Sequence, residues 1–241
     1  MPSPRRGSPF HSLDHTVTGH GMLATVDHAF ICCSKGAPEA DALVALGLIE
    51  GSGNRHPGQG TSNRRFFFNN AYVELLWVSN EDEARSSESK GTRLWERCSS
   101  RSEGVCPFGI LFRTVESALP FATWSYKPRY LPTGASIRFA QGVPMTEPEL
   151  AFLNVENLGI RPKEPVDHRV PIREILKMVV RLPSMTTLSK AAKVVHDRGL
   201  ITFKEGSEHM LELIFASEGS VEFDLRPTLP LVFRGGSKGV V

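Results

Sequence analysis

The sequence predicts an α+β protein of two βαβββ units separated by a strand-rich region, and three observations lead there. The order strand, helix, short strands occurs twice, near the N-terminus and again near the C-terminus. Each helical stretch ends on a similar signal, Leu46-Gly47-Leu48 in the first and Arg198-Gly199-Leu200 in the second, so the repeat is one of pattern rather than identity. Between the copies, apolar runs alternate with many prolines, as strands with a structured cover would.

The first unit opens on ATVDHAFICC (24–33), rich in β-branched and apolar residues and closed by Ser34, Lys35 and Gly36. Pro38 then starts PEADALVALGLI. Its early acids Glu39 and Asp41 and its apolar spacing at Leu43, Leu46 and Ile49 describe an amphipathic helix ending near Gly47. A polar Gly-rich hairpin, GSGNRHPGQGTSN (51–63), leads into RRFFFN and AYVELLWV, which are joined by Asn69 and Asn70, residues that tolerate a tight turn. In the second unit ILKMVVRLP (175–183) is a strand, TLSKAAKVVHDRGL (187–200) a helix, and ITFKEG, MLELIFA and SVEFDLRP are three short strands. A competing register, matching Val26-Asp27-His28 to Val166-Asp167-His168, would set the second helix against the first Gly-rich loop and is rejected.

These boundaries divide the chain into a disordered extension (1–21, with Met22 as an alternative start), a first unit (22–80), an insertion (81–172) and a second unit (173–241). Between the copies, 79–104 is charged and Ser-rich and reads as a surface loop with one short helix. FGILFRTV, SIRFAQG and ELAFLNVE read as extra strands, with LPFATWSYKPRYLP as cover.

Composition narrows the function classes. The 241 residues are 40% hydrophobic and 22% charged with a formal net charge of +2, and Lys and Arg are scattered, which argues against a nucleic-acid partner. No apolar run approaches the ~20 residues of a membrane span, and the N-terminal residues lack the apolar core of a secretory signal. Membrane association is therefore not expected, and the cytoplasm is. Of the four cysteines, Cys32 and Cys33 are adjacent in a strand and point to opposite faces, and no CxxC pair occurs. Reduced thiols are expected rather than a disulfide framework. The closely spaced glycines of the hairpin precede a strand instead of opening a helix, so no nucleotide cofactor is expected. Phosphate-loop, nucleophile-elbow and HExxH motifs are absent.

Glu74 is the strongest single lead. It lies among apolar residues, and an ionised carboxylate there needs a partner. Alternation puts Tyr72, Glu74, Leu76 and Val78 on one face, and Val26, His28, Phe30 and Cys32 on one face of the first strand. An imidazole and a carboxylate on neighbouring strands can hold a divalent ion with positions open for a substrate's oxygens. The alternative is that Glu74 faces solvent or pairs with Arg64 or Arg65, and that His28 is a hydrogen-bonded core residue.

The paired units, with VDHAFI, the GxGxxHPGQGTSN hairpin and YVELLWV, resemble the glyoxalase-like branch of the vicinal oxygen chelate superfamily, over roughly residues 22–235. FGILFR and PFATWSYKPRYLP are similar to members of that branch as well. The resemblance implies paired units whose curved mixed sheets enclose a cleft, with the inserted strands as cover. It implies a divalent metal held by His28 and Glu74, with Glu74 also catalytic. The expected chemistry is that of an isomerase, lyase or dioxygenase acting on a small oxygen-rich molecule. The alternative is metal-independent sequestration of the bleomycin-resistance type. The second unit offers no His at the strand position matching His28, and Glu222 is its candidate carboxylate. His56 or His168 is an alternative source of the missing ligand. Substrate contacts are expected from His56, Gln59, Asn63, Arg113 and Tyr126, the last in an aromatic strip with Trp124 and Tyr130 of a kind that is more often cover packing than a substrate wall. Exposed sheet edges leave room for a homodimer.

Overall fold

The computed structural model describes residues 24–99, 104–154, 163–216 and 221–236. The N-terminal extension expected over 1–21 lies outside the described residues. Among the described residues, two mixed sheets and four short α-helices make up an α+β fold, the class expected from the sequence.

The first sheet has eight strands. β1 (Ala24–Cys32) is followed by α1 (Ala40–Leu46), β2 (Arg55–His56), β3 (Thr61–Phe67) and β4 (Tyr72–Val78). α1 stops at Gly47, whose φ of 105° is the left-handed value a helix C-terminus favours. After α2 (Glu81–Ala84), a 3₁₀ turn at Lys90–Thr92 and α3 (Leu94–Ser99), the chain adds β5 (Phe108–Thr114), β6 (Thr123–Tyr126), β7 (Ile137–Ala140) and β8 (Glu149–Asn154). Strand order is β2-β3-β4-β1-β5-β8-β7-β6.

That order is pseudo-symmetric about the antiparallel β1–β5 pair. β4 runs parallel to β1, β8 runs parallel to β5, and β3 and β7 lie antiparallel outside them. The sheet partner of the first unit is therefore the segment 108–154, where the sequence suggested additional strands and cover. This second half has no helix between its first two strands. Its apolar outer face (Ile110, Phe112, Phe152) joins one core cluster with Leu43 of α1 and with the C-terminal segment.

The C-terminal segment forms its own five-stranded sheet from β9 (Ile175–Leu182), β10 (Thr202–Glu205), β11 (Met210–Ala216), β12 (Val221–Asp224) and β13 (Leu231–Gly236), in the order β10-β9-β11-β13-β12, with α4 (Lys190–Asp197) between β9 and β10. The strand after α4 returns parallel beside β9, whereas the parallel partner of β1 is the last strand of its unit. The repeat of element order is thus not a repeat of connectivity. Burial explains the arrangement: Val180, Leu211, Leu213, Phe215 and Phe233 present an apolar face, and the helix-free half of the first sheet needs one to cover it. Phe68 packs on Phe215 and Phe233, with ring centroids 4.8 and 6.3 Å apart. Asn70, expected only as a turn residue, also bridges the sheets, its amide bonding both Ile175 N and Ile175 O at 3.0 and 2.7 Å.

The expectation of four reduced thiols is corrected. Cys32, at the end of β1, and Cys98, on α3, form a disulfide, while Cys33 and Cys106 are buried thiols outside it. The alternation that separates Cys32 from Cys33 is what turns Cys32 toward α3, 66 residues along the chain. Denaturing alkylation without reductant is expected to label two cysteines per chain and, after reduction, four. Four labels before reduction would remove the disulfide.

Candidate functional site

One face of the eight-stranded sheet packs into the shared core. The opposite face lines a cavity of about 360 Å³. β4 places Tyr72, Glu74 and Leu76 on it, β3 adds Asn63, and β5, β7 and β8 add Leu111, Ile137, Phe139 and Leu153. Leu94 of α3 and Tyr130, Leu131 and Pro132 of the β6–β7 connection close it.

β1 departs from strict alternation at the centre of the site. Val26 faces Phe112 and His28 faces Leu111, so Asp27 is an extra residue in a β-bulge. Both Asp27 and His28 consequently reach the cavity. His28 Nδ1 lies 2.6 Å from Asp27 Oδ1, and Nε2 lies 3.2 Å from Glu74 Oε2. The other carboxylate oxygen of Glu74 accepts a bond from Asn63 Nδ2, and the Asn63 carbonyl oxygen accepts from Asn54 N at 2.6 Å. Arg113 donates from Nε to Asp27. The chain Arg113–Asp27–His28–Glu74–Asn63 is thus continuous, with Asp27, His28 and Glu74 at 0, 5 and 4% exposure.

Burial alone would strip the charge from both members of the central pair. For His28 the bonds to Asp27 and Glu74 outweigh that burial and raise its pKa above the ordinary 6.5. For Glu74, burial again pushes upward, but His28, His56 and Asn63 hold the carboxyl down at about 2. Each partner thus favours the charged form of the other. His28 also stacks on Tyr72 at 4.3 Å.

A second polar bank comes from the hairpin. Tyr130 Oη donates to Gln59 Oε1 at 2.7 Å, Gln59 Nε2 donates to Thr61 Oγ1 at 2.8 Å, and Thr61 Oγ1 bonds His56 Nδ1 at 2.9 Å. Burial lowers the pKa of His56, against the opposing pull of Glu74.

Of the residues predicted to contact a ligand, His56, Gln59 and Asn63 line the cavity. Arg113 does not; its guanidinium is committed to Asp27. Tyr126 lies on the next strand out, in the apolar cluster behind Ile137 and Phe139. Glu222 sits on the other sheet and pairs with Arg234, because β12 belongs to the C-terminal segment. His168 is also no ligand: Ile49 N donates to its Nδ1 at 3.1 Å, and its Nε2 bonds Phe67 O at 2.8 Å. The arginine pairing considered for Glu74 is not what is seen. Arg64 pairs with Glu50 and Asp41, and Arg65 bonds Ser52 and lies over Phe67 and Tyr72. Sequence reasoning missed Asp27 as a site residue and the bond by which Tyr130 closes on Gln59. The Asp-His dipeptide was the only signal for Asp27.

A larger, open groove of about 820 Å³ shares Asn54, His56 and Asn63 with the cavity and is bordered in part by exposed residues such as Lys35 and Arg55. It holds no buried charged pair of its own. The enclosed cavity is therefore the candidate site.

Would these residues hold a divalent ion? His28 Nε2 and Glu74 Oε2 are two donors within reach of one ion, but among the described residues no group of three His, Cys, Asp or Glu is placed to hold one. The pseudo-symmetric half supplies Leu111 and Leu153 where further ligands would be needed. The donor set does not fit a resident ion.

A sheet of two pseudo-symmetric halves with a His–Glu pair facing an enclosed cleft is the arrangement that the sequence resemblance implies. Residues 26–123 match the glyoxalase-like domain family, and the chain is similar to that family over this segment. No curated protein matches the chain at a significant level. Among solved structures it is similar to a hypothetical protein from Staphylococcus aureus, at 11% identity and TM-score 0.48 over 90% of this chain and 100% of that one. It is also similar to a hypothetical protein from Bacillus halodurans (15%, 0.38, 58% and 99%) and to a mutant 4-hydroxymandelate synthase from Streptomyces coelicolor (12%, 0.38, 89% and 62%). Among the described residues no helix is long and apolar enough to cross a membrane.

Proposed function

We propose that this glyoxalase-like protein binds a small molecule in the cleft of its eight-stranded sheet through side chains alone, without a resident divalent ion. The observation that carries the reading is the closed His28–Glu74 pair. Each partner is already bonded to a second protein group, and the half of the cleft that would complete a metal site is apolar. A cavity with convergent polar groups at one side and aliphatic walls at the other is the usual form of a small-molecule site. A metal-assisted isomerase, lyase or dioxygenase is the second reading, favoured by the 3.2 Å approach of His28 Nε2 to Glu74 Oε2.

Metal content separates the two. After dialysis against Mn²⁺, Fe²⁺, Co²⁺, Ni²⁺ or Zn²⁺ and then against buffer, elemental analysis is expected to find well under one ion per chain. Stoichiometric retention that disappears in both His28→Ala and Glu74→Ala would establish the metal-assisted reading instead.

A further inference from the structure

We propose that the molecule accepted by this cleft is uncharged: an apolar body carrying a hydroxyl or carbonyl group at one end, and neither an organic anion nor an ammonium compound. This rests on the cleft being the binding site, and it names the ligand's chemical class.

Among the described residues no Lys or Arg lines the cavity. Of the guanidinium groups around it, that of Arg113 is taken by Asp27 and that of Arg65, over the Tyr72 ring, by Ser52 and Glu164. A carboxylate entering the cavity would therefore meet the Glu74 carboxylate with no unpaired cation to offset it. An ammonium group would meet the Glu74 oxygens already engaged by His28 and Asn63, and would lie against the His28 ring. Either charge would also lose its water and meet only charged groups already paired within the protein, Asp27 with Arg113 and His28, and Glu74 with His28 and Asn63, so it would have to break an existing bond to gain a counter-charge. A neutral hydroxyl or carbonyl has no such deficit. It can exchange a hydrogen bond with the polar wall of Gln59, Tyr130 and Asn63 while its body lies on Leu111, Ile137 and Leu153.

The test uses the full-length protein and matched probes on phenyl, naphthyl and indolyl frames, each frame carrying a hydroxyl, a carboxylate or an aminomethyl group, with affinities from isothermal titration calorimetry. On at least one frame the hydroxyl compound is expected to bind about 10-fold or more tightly than both charged ones, the order expected for one unscreened like-charge contact at a partly buried site. Glu74→Gln, which keeps the shape and removes the negative charge, is expected to narrow the gap for the carboxylate. Leu111→Trp, which fills the cavity, is expected to abolish binding of every probe.

Equal or tighter binding of the carboxylate or the aminomethyl compound overturns the proposal while leaving the cleft reading intact. Binding that survives Leu111→Trp, or no binding by any probe, overturns both.

Discussion

Glu74→Gln is expected to lower the stability of the folded chain by about 3 kcal/mol at pH 6, measured by urea unfolding. The figure follows from a carboxyl held at about 2 in the fold against an ordinary 4.5, each unit being worth about 1.4 kcal/mol. Because the folded-state value is depressed, this contribution is present in full above pH 4.5 and is lost as pH falls toward 2. The difference between wild type and Glu74→Gln should therefore shrink steadily over that window. It should shrink again on the alkaline side, above the raised pKa of His28, where the imidazole loses the proton that pairs it with Glu74. The difference between the two proteins is the proper readout. In the wild type alone, His56, His168 and His209 have lowered pKa values and oppose the trend of His28, since their contribution is lost as pH falls. A difference that stays constant from pH 2 to 6 would show that the pair is not ionised.

Gly109→Ala is expected to abolish ligand binding and to cost about 1 to 3 kcal/mol of stability, the usual range for overpacking. Gly109 on β5 faces Phe30 on β1, and a Cβ there would lie 2.0 and 2.2 Å from Phe30 Cε1 and Cζ. The strand spacing is fixed by ladder hydrogen bonds, so the ring must move. Phe30 already lines the cavity, and the cavity is the space open to it. Calorimetric titration and urea unfolding of Gly109→Ala, Phe30→Leu and the double variant test this. If the two substitutions are simply additive, the ring is not the obstacle, because residues in steric conflict must show a coupling energy.

Much of the first unit was legible in the sequence. The strand at 24–33, the helix ending at Gly47 and the YVELLWV strand were marked by β-branched content, an amphipathic period and a left-handed glycine, all of them local signals. Alternation along that last strand put Glu74 on the same face as Tyr72 and Leu76, and all three line the cavity. Asp27 was not legible, because a period of two assigns it to the other face and the bulge that overrides this depends on β1 meeting β5. The Cys32–Cys98 bond was hidden for a similar reason, since two side chains separated by 66 residues meet only once α3 packs beside β4.

The sequence by itself determined the element types, the α+β class and one face of the site, since propensity, capping and period act within a few residues. Only the tertiary structure decided which segment partners the first unit. FGILFR and YVELLWV flank β1 on opposite edges of one sheet, while ILKMVVRL, equally strand-like in composition, forms a second sheet behind them. Hydrogen-bonding edges are chemically alike in every strand, so composition does not select among them. Selection comes from burying the apolar face left bare by the missing second helix, a requirement of the assembled layers that no single segment expresses.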